Sequence, residues 1–285
     1  MDSCGLESLS FFKKEKEQNS IAMDFKKLLR DFATLNFTDL NKRFAKVGRK
    51  LKRIVFTSFN KLPEPADIPV LINNRDRLSY LSQLISRLEE MGFKNIIIID
   101  NDSTYPPLLE YYSKTRHTVI YLKRNGGPRS IWQSPELKKY IKQYYIYTDP
   151  DVIPEPAVTM DTIKEMLTTL SNSLTLEKIG LGLRIDNLPD HFALKKQVID
   201  WETQFHQNRV SSNYFAAPVD TTFALYAPYE QGGGECKAYR TVEPIEALHL
   251  PWYENSSIVD EETKYYRDHA ATDASHWTEL TRQKA

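Results

Sequence analysis

Tyr144-Tyr145-Ile146-Tyr147, followed after Thr148 by Asp149-Pro150-Asp151, is the stretch on which the fold turns. Four apolar or aromatic residues in a row read as a buried strand. Two acids just past its end, stiffened by Pro150 and followed by Pro154 and Pro156, point into the crevice where open α/β sheets bind ligands. Carboxylates one residue apart on such a turn suit a hard divalent cation, and a cation there would hold a diphosphate. Asp and Pro are also ordinary turn residues, so the tripeptide draws its weight from what precedes it.

Upstream, Ile68-Pro69-Val70-Leu71-Ile72 is a short apolar strand whose proline suits its beginning, and residues 73–77 form the loop after it. Leu78, Leu81, Leu84, Ile85, Leu88 and Met91 stripe a helix that ends at Gly92. Ile96-Ile97-Ile98-Ile99 is the next strand, bounded by Asp100. A helix over residues 108–112 and a strand over 118–122 follow, and Ser134-Pro135-Glu136 predicts a capped helix start. The alternation predicts an α/β fold whose mostly parallel central sheet carries helices on both faces. Further on the pattern is looser: helices over 160–170 and 193–205, strands over 179–185 and 222–226, and a flexible turn at 231–234. The tail from Asp260 is polar and is expected to be mobile.

The 285 residues, 41% hydrophobic and 27% charged, have the balance of a soluble globular chain. No run of eighteen apolar residues predicts a spanning helix. Met1-Asp2-Ser3-Cys4-Gly5 lacks the order of a secretory signal, and Cys4 and Cys236 do not form a disulfide framework, so a reducing, cytoplasmic setting is expected. The zero net charge hides a basic stretch: Lys42, Arg43, Lys46, Arg49, Lys50, Lys52 and Arg53 stand without an acid among them. Leu40, Phe44, Val47, Leu51, Ile54 and Val55 run through the same segment at helical spacing, which makes a basic amphipathic helix. Either it packs on the main domain as a solvated helix, or it docks peripherally on an anionic membrane surface through residues 42–53. Nucleic acid is disfavoured, because no aromatic platform or recognition motif accompanies the charge. Phe25, Leu28, Leu29, Phe32 and Leu35 predict another helix in the same arm, which Pro63-Glu64-Pro65 closes.

Polar clusters fall at the carboxyl ends of four predicted strands: residues 73–77, 100–103, 125–129 and 149–151. In a parallel sheet these ends share one rim. Residues 68–75, then Ile99-Asp100-Asn101-Asp102-Ser103, then Lys123-Arg124-Asn125-Gly126-Gly127-Pro128-Arg129, then Asp149-Pro150-Asp151 resemble the successive donor-binding elements of nucleotide-sugar-dependent glycosyltransferases with the GT-A fold. The likeness is to the family 2 type of bacterial surface polysaccharide synthesis. It covers residues 68–155 closely and 156–253 loosely. It implies a Rossmann-like GT-A domain with a donor-binding half at 66–155 and an acceptor-binding half at 156–259, and it does not extend to the helical basic arm at 1–65 or the polar tail at 260–285, which are read from the residues themselves.

The resemblance also implies roles. Asp100, with Asn101 or Asp102, would accept hydrogen bonds from base or ribose, or else form an Asx turn ahead of Tyr105-Pro106-Pro107. Asn74 and Arg75 belong to the first donor loop; Arg75 would reach the diphosphate or pair with Asp76. Arg129 can make two charge-assisted bonds to phosphate. Asp151 would bind the metal directly, Asp149 ribose or a metal-bound water, and His249 would complete a site for Mg²⁺ or Mn²⁺. Asp220, just before an apolar strand, is the candidate base for an inverting transfer, with Asp200, Glu202 and Glu243 as rivals. The glutamate-aspartate base motif of inverting family 2 enzymes is absent, so inversion is favoured only slightly over retention. The expected reaction is metal-dependent transfer from a nucleotide sugar, UDP-linked by analogy, to a glycan or lipid-linked glycan acceptor. A nucleotidyltransferase acting on sugar phosphates is the alternative enzyme, although residues 73–77 lack its glycine-rich loop, as they lack a dinucleotide fingerprint. A non-catalytic nucleotide-sugar-binding subunit of a glycan synthesis complex is the other alternative.

Overall fold

The computed structural model describes residues 37–220, 222–232, 237–255 and 258–269. The predicted arm helix around Phe25 to Leu35, and Gly233 and Gly234 of the expected turn, lie outside them. Eight strands form the central sheet in the order β3-β2-β1-β4-β9-β6-β10-β8. These are β1 (Val70–Asn74), β2 (Ile96–Asp100), β3 (Thr118–Tyr121), β4 (Tyr145–Thr148), β6 (Lys178–Gly180), β8 (Tyr214–Ala216), β9 (Ala224–Tyr226) and β10 (Ala238–Thr241). Strands β1 to β4 run parallel, as does the β6–β10 pair, whereas β9 is antiparallel to β4 and β6 and β8 is antiparallel to β10. A small second sheet orders β5 (Val152–Pro154), β11 (Glu246–His249) and β7 (Gly182–Leu183). The result is a mixed α/β fold with a central sheet flanked by helices, consistent with a Rossmann-like GT-A architecture.

Strand alternation divides the core in two. Val70, Ile72, Ile96, Ile98 and Ile146 belong to one core cluster with Leu84 and Leu88 of α2 (Leu78–Met91), Leu108 of α3 (Pro106–Lys114), Met166 of α5 (Met160–Ser171) and Val198 of α6 (Lys195–Thr203). Leu71, Ile97, Ile99, Tyr145 and Tyr147 face the other way, against Ile131 of α4 (Ser130–Gln133) and against Leu137 and Ile141. The helix expected from Ser134 is replaced by two 3₁₀ turns, Pro135–Leu137 and Tyr140–Lys142. Ser134 is buried and makes no side-chain capping bond, so the cap on which that helix depended does not form.

The strand expected over 179–185 is broken. Its first part pairs in the central sheet as β6, and after Leu181 the chain crosses to the small sheet as β7. Gly180 and Gly182 permit the crossing: a Cβ on Gly180 would strike the Val219 side chain, and one on Gly182 would lie 2.7 Å from the Thr241 carbonyl oxygen. The segment after Asp260, expected to be a mobile tail, includes a helix, α7 (Glu261–His269). Helix α1 (Phe37–Phe59) confirms the amphipathic pattern. It meets the domain with its basic side: Arg53 is buried and donates to the carbonyls of Leu176 (2.6 Å), Leu170 (2.7 Å) and Ser173 (2.6 Å). Among the described residues no helix is long and apolar enough to cross a membrane.

Candidate active site

The carboxyl ends of β1, β2 and β4 form one rim, and β9, running the opposite way, begins at it: Ala224 pairs with Tyr147. Just beyond β4 the chain turns through Asp149-Pro150-Asp151 into β5. Strand β11 lies antiparallel on β5 with His249 opposite Val152, and the Leu250 N–H donates to the Asp151 carbonyl at 2.8 Å. This register brings two distant residues together: His249 Nε2 is 3.6 Å from Asp151 Oδ2. Both side chains are about one-fifth exposed, and each retains a buried atom without a partner, Oδ1 of Asp151 and Nδ1 of His249. The His249 ring leans on buried Trp252, with centroids 4.6 Å apart. Asp149 is half-buried on the same turn, but among the described residues no group of three or more His, Cys, Asp or Glu side chains gathers as a metal site. The expected trio therefore reduces to one close pair, Asp151 and His249.

The loops after β1 and β2 are built differently. Asn74 is sealed inside, with Nδ2 donating to the Tyr112 hydroxyl at 2.8 Å. Asp100 is also buried and accepts the Ser103 N–H at 3.3 Å, the Asx-turn alternative. Burial pushes its carboxyl above the usual carboxylate range, with the Ser103 bonds opposing the rise. Asp76 accepts the N–H groups of Thr104 (2.6 Å) and Tyr105 (2.8 Å), just before α3. Asp76 and Asp102 both hold positive φ, a conformation that Asp tolerates better than most side chains. Asp102 is exposed, whereas Arg75 is engaged: its Nη2 donates to the His269 carbonyl at 3.0 Å and its Nε lies 3.8 Å from Asp76.

The third loop is laced to the first two. Gly126 N–H donates to Asn101 Oδ1 (2.7 Å), Asn101 Nδ2 to the Gly127 carbonyl (3.1 Å), and Ser130 Oγ to Asn73 Oδ1 (2.9 Å). The Tyr147 hydroxyl donates to the Pro128 carbonyl at 2.8 Å. Arg129 stands at the surface of this loop with Nη2 on the Gly232 carbonyl at 2.9 Å. On the far side Asp220 is exposed, on a segment anchored by buried Lys178, whose Nζ donates to the carbonyls of Val219 and Asp220. Of its rivals, Glu202 is buried in an ion pair with Arg240 (2.6 Å).

Helix α7 is the part of the site that sequence reasoning missed. Glu262 accepts the N–H groups of Leu78 (3.1 Å) and Ser79 (3.0 Å) and the Ser79 hydroxyl (2.7 Å), so it caps α2. Arg77 lies 4.0 Å above the Tyr266 ring, and the Tyr265 ring packs on Tyr105 at 4.9 Å. Burial pushes the Tyr266 hydroxyl up, with Arg77 opposing and the negative charge of Asp151 adding to the rise. The helix thus covers the loops after β1 and β2 and comes within electrostatic reach of the acid turn. A polar tail carries no periodic signal that would have placed it there.

No protein-family model matches the sequence, and no curated protein matches it. Among solved structures the chain is similar to the crystal structure of GalNAc-T7 with UDP, GalNAc and Mn²⁺, at 12% identity and a TM-score of 0.41, over 76% of this chain and 53% of that one. It is also similar to HddC from Yersinia pseudotuberculosis, at 12% identity and a TM-score of 0.39, over 70% of this chain and 99% of that one. The chain thus spans about half the length of the GalNAc-T7 structure. Likeness of this degree concerns the course of the backbone and assigns no activity.

Proposed function

We propose that the chain is a metal-dependent glycosyltransferase that moves a sugar from a nucleotide sugar, UDP-linked by preference, to a glycan or lipid-linked glycan of a bacterial surface polysaccharide. The observation that carries this reading is the Asp151–His249 pair at the carboxyl rim of the parallel strands β1, β2 and β4, with one buried unpaired atom on each side chain. One carboxylate and one imidazole leave most positions of a divalent cation to substrate phosphate and water. Asp151 and His249 would hold Mn²⁺ or Mg²⁺, with Asp149 beside them on ribose or a bound water. The cation supplies charge stabilisation for the departing nucleoside diphosphate.

The chain's own groups do the rest. Arg129 and Arg75 bind phosphate oxygens, which requires each to leave its present backbone carbonyl. Asp102 and Asp100 form the wall for base and ribose, with Asn74 supporting that wall from beneath. Asp220 takes the proton of the acceptor hydroxyl on its carboxylate as the new glycosidic bond forms, in an inverting displacement. The setting is cytoplasmic, peripheral on the inner face of the cell membrane where a lipid-linked acceptor is presented. One further reading has specific support: among the described residues no group of three or more His, Cys, Asp or Glu side chains gathers as a metal site, which suits a nucleotide-sugar-binding subunit without transfer.

A donor screen decides between them. Purified protein is incubated with each common nucleotide sugar, with and without Mn²⁺ or Mg²⁺ and lipid-linked acceptors, and nucleoside diphosphate release is measured beside Asp151→Ala. Metal-dependent release from one donor, lost in the variant, is the expected result. Donor binding without release selects the non-catalytic subunit, and silence toward every donor discards both.

A further inference from the structure

Helix α1 docks the wrong way round for an amphipathic helix. Three of its basic side chains face the domain: beyond Arg53 and its three carbonyls, Lys46 lies 3.3 Å from Glu177 and Arg49 lies 3.6 Å from Glu230. Burial and the nearby Glu177 raise the Glu230 carboxyl, while Arg53 and Arg49 pull it back down. Phe56 is the main apolar contact inward, edge-on to Tyr144 and Tyr229 at 6.4 and 6.3 Å. The apolar stripe points out. Phe44, Leu51, Val55 and Phe59 recur at spacings of seven, four and four, so they share one face, and they are 44%, 53%, 58% and 85% exposed. Leu62, just past the helix, extends the stripe. Leu51, Val55, Phe56 and Phe59 line a shallow groove with Tyr229 and Lys52.

Charge selects the occupant. From residue 40 to residue 63 there is no Asp or Glu, and Arg43, Lys52 and Lys61 are exposed beside the stripe. A second copy of α1 laid on the first would oppose two surfaces that carry no acid from residue 40 onward. The segment at residues 24–35 is itself net basic, with Lys26, Lys27 and Arg30 against Asp24 and Asp31. An occupant that is apolar in depth and anionic at its surface satisfies both the stripe and its flanks. We infer that α1 is an interfacial helix lying on an anionic lipid bilayer, with Phe44, Leu51, Val55 and Phe59 set among the acyl chains and Arg43, Lys52 and Lys61 at the headgroups. The contact is made by the apolar stripe, while the inward basic residues fix the helix to the domain. This goes beyond the proposed transfer reaction and is read without any donor or acceptor, so either can fail alone.

The test is cosedimentation of the full chain with phosphatidylcholine vesicles, and with vesicles that also contain phosphatidylglycerol. The wild type is expected to bind the anionic vesicles at least tenfold more tightly, less so at high salt. Leu51→Glu with Phe59→Glu is expected to lose that binding tenfold or more, while its circular dichroism and thermal midpoint stay those of the wild type. Lys52→Glu should weaken binding by a smaller factor and leave folding unchanged. Equal binding by wild type and the double variant overturns the inference. So does a wild type that binds neither vesicle; light scattering then identifies a second copy as the occupant if it shows a dimer that the double variant lacks.

Discussion

The loops after β1 and β2 and the turn after β4 leave parallel strands at the same rim, yet their acids are used in opposite ways. Asp76 and Asp100 are buried and accept backbone N–H groups from residues 103–105. Asp151 keeps one oxygen without a partner and faces His249. The difference lies in the donors each stretch of backbone offers. Positive φ at Asp76 and Asp102 accompanies turns in which the N–H groups of 103–105 reach the carboxylates. After β4, Pro150 has no N–H to give, and the pairing of β5 with β11 commits the backbone that follows to a ladder. An acid at a strand end is thus structural when the local chain satisfies it and available for chemistry when the chain does not.

The largest effect should fall on the unsatisfied side. Asp151→Ala and His249→Ala are each expected to reduce metal-dependent diphosphate release, by about 10²–10³-fold for the aspartate, with little change in thermal midpoint. Asp100→Asn keeps the acceptor oxygen for Ser103 and should cost less than about tenfold in activity, since such a bond contributes only about 1 kcal/mol. Comparable losses in all three, read in one steady-state assay, would erase the distinction between the two loops.

On the satisfied side the effect should appear in stability. Asp76→Ala removes the buried carboxylate that accepts the N–H groups of Thr104 and Tyr105, at a cost of about 2–3 kcal/mol. In a chain of 285 residues that lowers the thermal midpoint by roughly 3–5 °C. A midpoint within a degree of wild type, measured by calorimetry, would show that these bonds are replaced by water and that Asp76 is no more structural than Asp151.

The same contrast explains what could be read from the sequence. Continuous apolar runs such as Ile96 to Ile99 fix strands buried on both faces, and their polar ends mark the rim, so the β1–β4 half of the sheet is legible residue by residue. Whether Asn74 or Asp100 faces a ligand or its own backbone depends on turn geometry that a residue list does not specify. The Asp151–His249 approach depends on the β5–β11 register across about a hundred residues, and no local pattern encodes that pairing. Helix α1 was legible as amphipathic, but its orientation was not, because Glu177 and Glu230 and the carbonyls at 170, 173 and 176 that receive its basic side lie far away in sequence.

Helix α7 sharpens the comparison from outside the sheet. Glu262 fills the N-terminus of α2, a position that otherwise attracts a phosphate or carboxylate from solution. Glu262→Gln retains the shape and removes the charge, so the cap should weaken by about 1 kcal/mol. Faster amide exchange in residues 261–269 and a severalfold gain in donor affinity by calorimetry are the expected results. Unchanged exchange would mean that Tyr265 and Tyr266, and not the carboxylate, hold the helix on the rim.

Strand β11 holds both situations on opposite faces, because His249 and Glu246 are three residues apart. His249 turns toward Asp151. Glu246 is buried on the other face, where burial first, and then the charges of Asp186, Glu243 and Glu155 against Arg184, push its carboxyl up to about 7. The folded chain therefore holds a proton that the unfolded chain has already released between the ordinary glutamate range and about pH 7. Stability contributed by that proton is present at low pH and is lost as the pH rises through the window. Glu246→Gln should match wild type near pH 5 and exceed it at pH 8, by about 2 °C in thermal midpoint if the residual charge cost is about 1 kcal/mol. A variant less stable than wild type at pH 8 would mean that the ionised carboxylate is satisfied in the fold. Glu246 would then belong with Asp76 and Asp100 on the paired side of the comparison.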